Sequence, residues 1–301
     1  MTTPMKPQPA LKTLLLTMLA ATWLSGAVAQ AYPESVLVDT AWLEAESANE
    51  NVQAVFVTDA ETFEAGHIAG SVFVPLNQLN NPDNPVSGQI GTPEQFAATM
   101  SELGITRDDT VVLYDARFSL LAARAYWVFS YYGHEDVRVL DGGTQAWQDA
   151  GLPLATGAIN PEASAYPVPQ ADPAIRTDLQ YVLDRLEDED VQVCDTRSVN
   201  EYIGTDVRAD RGGRIPGAIN LEWVNAIDTS TGRFKDYGTL DTLFTRAGFE
   251  RDKQILTYCQ TAVRGAHTWF VLRELLGYED VRVYDGSWVE WGNQLDVPIE
   301  N

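Results

Sequence analysis

"GHEDVRVLDGGTQAW" (residues 133–147) and "GYEDVRVYDGSWVEW" (residues 277–291) are one segment written twice, 144 residues apart. Glu135-Asp136-Val137-Arg138-Val139 recurs as Glu279-Asp280-Val281-Arg282-Val283. The same offset carries Tyr114 to Tyr258, Asp141-Gly142 to Asp285-Gly286 and Trp147 to Trp291 without a gap. Upstream, residues 55–76 parallel residues 191–223, with an insertion in the second copy. A period this long exceeds that of a solenoid repeat, so the chain is a duplicated domain. The first copy covers 36–156 and the second 174–301. Between them "GAINPEASAYPVPQADP" (157–173), rich in Pro and Ala, reads as an extended linker.

Within each copy short apolar runs alternate with helical patterns. The runs at 52–57, 72–74, 110–114 and 137–140 predict buried strands, answered by 191–194, 218–221, 254–258 and 281–284 in the second copy. Thr92-Pro93-Glu94-Gln95 predicts a capping box with a first-turn proline, and Thr177-Asp178-Leu179-Gln180 predicts another, opening an apolar face that runs to Leu186. Strands alternating with helices make an α/β fold, in which each copy is a mainly parallel sheet covered by helices on both faces. Such sheets place their chemistry where strands end and helices begin.

The composition narrows the partners. Forty-three acidic residues against twenty basic ones give a net charge of −23. Without residues 1–29, which hold two lysines and no acid, it is −25. A chain this acidic is repelled by nucleic-acid phosphates and anionic lipid. Two cysteines make no disulfide framework, and no metal-ligand spacing or dinucleotide fingerprint is present, so no cofactor is expected. At the start, Lys6 and Lys12 precede an apolar run over 14–24 and the small-residue exits Ala27-Val28-Ala29 and Ala29-Gln30-Ala31. This reads as a signal peptide over 1–29, giving an exported, periplasmic or secreted protein that leaves the membrane after cleavage; an uncleaved anchor is the alternative.

The chemistry centres on "ILTYCQTAVRGAHTWFVLRELLGY" (255–278), which reads as strand, tight turn and amphipathic helix. Cys259 sits at the strand's carboxyl end. The amides of Gln260, Thr261, Ala262, Val263 and Arg264 would point into the turn and form an anion cradle at a helix N-terminus. These donors and the Arg264 charge favour the thiolate, the nucleophilic form of cysteine. Cys194, inside the apolar run "VQVCD", reads as structural.

These residues resemble the tandem-domain rhodaneses, sulfurtransferases of the thiosulfate and 3-mercaptopyruvate type. The resemblance spans 36–301 and rests on "GHIAG" (66–70), "DTRSVNEY" (195–202), "GRIPGAIN" (213–220), "YCQTAVRG" (258–265) and "YDGSWVEWGN" (284–293). It implies two α/β domains with five-stranded parallel sheets and a persulfide on Cys259, the first residue of a six-residue loop that ends at Arg264. It further implies a small anionic donor, a cyanide or thiol acceptor, and a donor-binding role for Arg208, with Arg211 and Arg214 nearby; Arg197, close to the same motifs, is taken as donor-binding for its positive charge. At the matching position the first copy has Asp115, which cannot take up sulfane sulfur, so that copy reads as catalytically silent. His67 resembles the histidine of the family's Gly-His turn and reads as structural; His134 and His267 read as helix-end or surface residues.

Glu201 stands before Tyr202, where mercaptopyruvate enzymes resemble one another in having an arginine, which favours thiosulfate over mercaptopyruvate as donor. Two other functions compete with the sulfurtransferase. A non-enzymatic persulfide carrier or interaction module would bind one sulfur without turnover. A cysteine phosphatase would need a loop one residue longer than Cys259–Arg264. The cluster Arg197, Arg208, Arg211, Arg214 and Arg264 is expected to form a local positive island that draws anionic donors to an otherwise repelling surface.

Overall fold

A computed structural model describes residues 32–301 together with Met1, Thr2 and Pro4; the expected leader over 1–29 otherwise lies outside the described residues. The first copy runs β1 (Leu37–Val38), α1 (Thr40–Glu46), β2 (Val52–Val57), α2 (Ala60–Ala65), β3 (Val72–Val74), α3 (Pro93–Glu102), β4 (Thr110–Tyr114), α4 (Leu120–Tyr131), β5 (Val137–Leu140) and α5 (Gly143–Asp149). The second runs β6 (Arg176–Thr177), α6 (Leu179–Leu183), β7 (Val191–Asp195), α7 (Val199–Tyr202), β8 (Ile219–Asn220), β9 (Ile227–Asp228), β10 (Arg233–Phe234), α8 (Tyr237–Ala247), β11 (Gln254–Tyr258), α9 (Val263–Phe270), β12 (Val281–Tyr284) and α10 (Ser287–Trp291).

The two five-stranded sheets have the same order, β1-β5-β4-β2-β3 and β6-β12-β11-β7-β8, and every pairing in them is parallel. Even the register repeats: Val111 faces Val137 in one sheet, and Ile255 faces Val281 in the other. The expected capping box at Thr92 forms, with the hydroxyl and the Gln95 side chain each accepting a backbone amide. The one expected at Thr177 does not. Thr177 is drawn into β6 beside Tyr284, Asp178 caps the helix instead, and α6 stops at Leu183.

Three apolar layers result. One covers the outer face of each sheet, around Phe56, Phe63 and Trp147 in the first copy and around Tyr258, Trp288 and Trp291 in the second. The third is shared: α4 packs on α9, with Tyr126 meeting Phe270 edge to face at 4.8 Å, so both copies bury their inner faces in one continuous core. Residues 158–172 form no helix or strand. They are nevertheless fastened to the first copy, through Tyr166 against Phe96 and the Ser164 amide donating to the Ser101 carbonyl at 2.9 Å.

Candidate active site

The turn between β11 and α9 is suspended from the start of α10. The Trp288 amide donates to the Cys259 carbonyl and the Val289 amide to the Gln260 carbonyl, both at 2.9 Å. The Ser287 hydroxyl accepts from the amides of Cys259 (3.3 Å) and Ala262 (3.0 Å) and donates to the Tyr284 carbonyl at 2.9 Å. Ala262 takes a left-handed φ of 61°, which reverses the chain so that α9 can begin at Val263. Three residues on, a Cβ at Gly265 would lie 3.2 Å from the Tyr258 Cα, a tight contact with backbone, so a glycine favours α9 starting this close to the strand. Among the described residues, no acceptor meets the amides of Thr261, Val263 or Arg264. They are free donors around Cys259, whose residue is 1% exposed.

The matching loop of the first copy explains what such donors do. Asp115 accepts four backbone amides: Arg117 (2.7 Å) and Ser119 (3.0 Å) on one oxygen, Leu121 (2.6 Å) and Ala122 (2.9 Å) on the other. Phe118 repeats the left-handed turn of Ala262 with the same φ of 61°, and the Thr144 amide donates to the Asp115 carbonyl as Trp288 does to Cys259. Burial raises the carboxyl's pKa, and the four amides act against that rise. The first copy therefore carries a cradle filled by its own side chain.

The arginines are arranged differently from the expectation. Arg264 grips Glu201 with both terminal nitrogens, at 2.7 and 2.9 Å. Arg208 binds Asp206 at 2.6 Å and approaches the other face of Glu201 at 3.5 Å. Arg214 pairs with Glu300, and Arg211 is spent on the carbonyls of Trp291 and Val297, each at 3.1 Å, and of Gln294. Arg197 is corrected outright as a donor-binding residue. It is 1% exposed and holds Asp195 and the Gly213 carbonyl, lying 4.4 Å over the Trp288 ring, so it braces the wall behind the loop. Ion pairs and, for Arg211, backbone carbonyls take up the cluster expected as a positive island, while the loop amides of Thr261, Val263 and Arg264 have no acceptor among the described residues.

Burial pulls against ionisation of Glu201, but the Arg264 bond and the Ser198 donors outweigh it and bring its pKa down to about 2. Arg264 is shifted upwards: burial opposes its charge, while the Glu201 bond and its proximity to Cys259 sustain it.

Gln260 and Thr261 face the neighbouring segments. The Gln260 amide group donates to the Arg208 carbonyl at 2.9 Å. Thr261 lies under Gly88 of the first copy, where a Cβ would come within 3.1 Å of its own. That covering segment is tied down by Arg124, which donates to the Gly88 carbonyl (3.0 Å) and to Asp285 (2.8 Å), while the Ile90 amide also reaches Asp285 at 3.1 Å.

Reading the sequence missed Ser287, Arg124, Asp285 and the structural use of Glu201. Ser287 and Asp285 lie inside the quoted "YDGSWVEWGN", but nothing in that string signals what each touches. Both cysteines are free, and Cys194 is fully buried, which raises its thiol pKa well above the ordinary value, with Asp195 adding to the rise. His67 donates from Nδ1 to the Phe63 carbonyl (2.8 Å) and stacks on Phe63, a structural position. His134 and His267 are not surface residues, at 4% and 0% exposure.

The rhodanese-like domain profile matches residues 39–150 and 178–294. A sulfur carrier protein, TtuD, of Thermus thermophilus is 38% identical over 281 residues, 89% of this chain and 97% of its own. A thiosulfate sulfurtransferase of Corynebacterium glutamicum is 37% identical over 283 residues, 90% and 91% of the two chains. Among solved structures, the 3-mercaptopyruvate sulfotransferase SseA from Escherichia coli superposes with a TM-score of 0.75 at 28% identity, covering 84% of this chain and 98% of its own.

Proposed function

The chain belongs to the rhodanese-like domain family, and from that premise we propose that it is a sulfurtransferase that carries sulfane sulfur on Cys259. The supporting observation is the pair of matched loops: one fills its amide cradle with the Asp115 carboxylate, the other puts a cysteine in the same place. A cysteine persulfide has the reach of an aspartate side chain, with its terminal sulfur anion where a carboxylate oxygen would be.

In the first half-reaction the Cys259 thiolate attacks the outer sulfur of thiosulfate. The new S–S bond forms as the old one breaks, and sulfite leaves with the electron pair. The negative charge now on the terminal sulfur is held by the free amides of Thr261, Val263 and Arg264, fixed dipoles that need not reorganise. In the second half-reaction cyanide or a thiolate takes that sulfur and the Cys259 thiolate is restored. Thiosulfate is the preferred donor and 3-mercaptopyruvate the alternative. No partner nucleic acid, membrane or cofactor enters this chemistry.

A persulfide carrier remains the second reading, favoured by the burial of Cys259 and by the carrier name of the Thermus relative. Turnover separates the two. With thiosulfate and cyanide in excess, the wild-type protein is expected to make many thiocyanate molecules per chain, whereas a carrier stops at one. Cys259→Ser should make none and keep its fold. Cys194→Ser should keep turning over but lose stability, because its hydroxyl would be buried in the core. An inactive Cys194→Ser beside a normal Cys259→Ser would overturn the assignment.

A further inference from the structure

We propose that Glu201 decides which donors the site accepts: by occupying the fork of Arg264 as an internal carboxylate, it excludes carboxylate-bearing thiols and leaves the site to inorganic sulfane anions. The proposal rests on the sulfurtransferase reading and narrows its substrate class.

The geometry is that of a filled ligand site. Glu201 has a side chain only 1% exposed, although it lies on α7, a single-turn element at the rim. One oxygen takes Arg264 at 2.7 Å, the Ser198 amide at 3.2 Å and the Ser198 hydroxyl at 3.0 Å; the other takes Arg264 at 2.9 Å and Arg208 at 3.5 Å. A guanidinium fork binds a planar carboxylate through two parallel bonds, and that arrangement is complete here without any ligand. Arg208 offers no substitute, since Asp206 holds two of its nitrogens.

Donors differ in where they carry charge. Thiosulfate bears its charge on atoms bonded directly to the transferred sulfur or its neighbour, within reach of the loop amides around Cys259. In 3-mercaptopyruvate the carboxylate lies beyond a methylene and a ketone, outside that cradle, and needs a cation of its own. Its sulfur transfer also leaves the C–S electron pair on carbon, where the thiol proton completes pyruvate, so the carboxylate must be held through the step. In this protein it must displace a carboxylate already covalently tethered in place.

The test compares kcat/KM for thiosulfate and for 3-mercaptopyruvate, with cyanide as acceptor, in wild type, E201Q and E201D. Glutamine retains the capping-box bond to the Ser198 amide, so α7 is preserved while the charge is removed. The ratio of mercaptopyruvate to thiosulfate efficiency is expected to be below one in wild type and to rise about tenfold in E201Q, the loss of one charge-assisted pair by the competing carboxylate. E201D, which restores the charge, should return it toward the wild-type value. A wild type that prefers mercaptopyruvate, or an E201Q ratio unchanged while the protein still takes up sulfur, overturns the proposal. The wild-type comparison needs no variant to fold. Uptake of sulfur from neither donor would instead sink the sulfurtransferase reading, and this proposal with it.

Discussion

Ser287 should be the residue on which the reactive loop most depends outside the loop itself. Its hydroxyl accepts two loop amides, Cys259 and Ala262, and donates to Tyr284, all in a site with no solvent exposure. Ser287→Ala removes the acceptor and leaves two buried amides and one carbonyl without partners. Each unsatisfied buried group costs about 1–3 kcal/mol, and partial relaxation brings the expected total to about 3 kcal/mol. For a chain of this size that corresponds to a fall in Tm of roughly 5–10 °C. Ser287 also holds a φ of 50°, a conformation that glycine adopts without strain, and the first copy has Gly143 there with a φ of 52°. Ser287→Gly should therefore be less destabilising than Ser287→Ala, since it relieves about 1 kcal/mol of left-handed strain while losing the same hydrogen bonds. Thermal and urea unfolding give the stabilities, and single-turnover release of sulfite from thiosulfate gives the rate of sulfur uptake. Both variants should take up sulfur more slowly, because the cradle amides are no longer aimed by a fixed loop. If Ser287→Ala unfolds within a degree of wild type and loads sulfur at the wild-type rate, the hydroxyl does not hold the loop and this account of the site is wrong.

Two further outcomes follow from charge. His267 is fully buried between Trp223 and Phe234, and burial lowers its pKa from 6.5 to about 3. The unfolded chain then binds the proton first, so this residue's contribution to stability is lost as pH falls from about 6.5 towards 3, at up to about 1.4 kcal/mol per pH unit. His267→Leu should flatten the stability profile by about 2 kcal/mol between pH 7 and 5 relative to wild type, and parallel profiles would show that the imidazole is not held neutral. Salt gives the second outcome: with the arginines near the loop mostly paired to acids, long-range repulsion of anionic donors is unopposed. Raising ionic strength from 0.01 to 0.15 M, which shortens the Debye length from about 30 to about 8 Å, should raise kcat/KM for thiosulfate, and a steady fall would mean that attraction dominates.

How much of this was legible depended on whether the determinant was local. The inner strands β2, β4, β5, β7, β11 and β12 were readable because each is a short, largely apolar and largely buried run, in which polar residues such as Gln53, Arg138, Gln192 and Arg282 take only partly buried positions. The edge strands β1 and β6 are two residues long and gain their strand character from β5 and β12, so they carry no periodicity of their own. Cys259 was legible from its strand–turn–helix setting. The state of the arginines was not, because Glu201 and Arg264 lie 63 residues apart and nothing local joins them. One global number did bear on it. With forty-three acids to twenty bases, an unpaired guanidinium is the exception in this chain, and every cation near the loop except Arg211 found a carboxylate. An anion site built on side-chain charge would be quenched by such surroundings. One built on backbone dipoles is not, since an amide's orientation is set by the turn that carries it and no acidic neighbour can neutralise it. The acidic composition and the amide cradle are therefore compatible, and on the proposed function the cradle is the arrangement by which so negative a protein would hold a negatively charged sulfur.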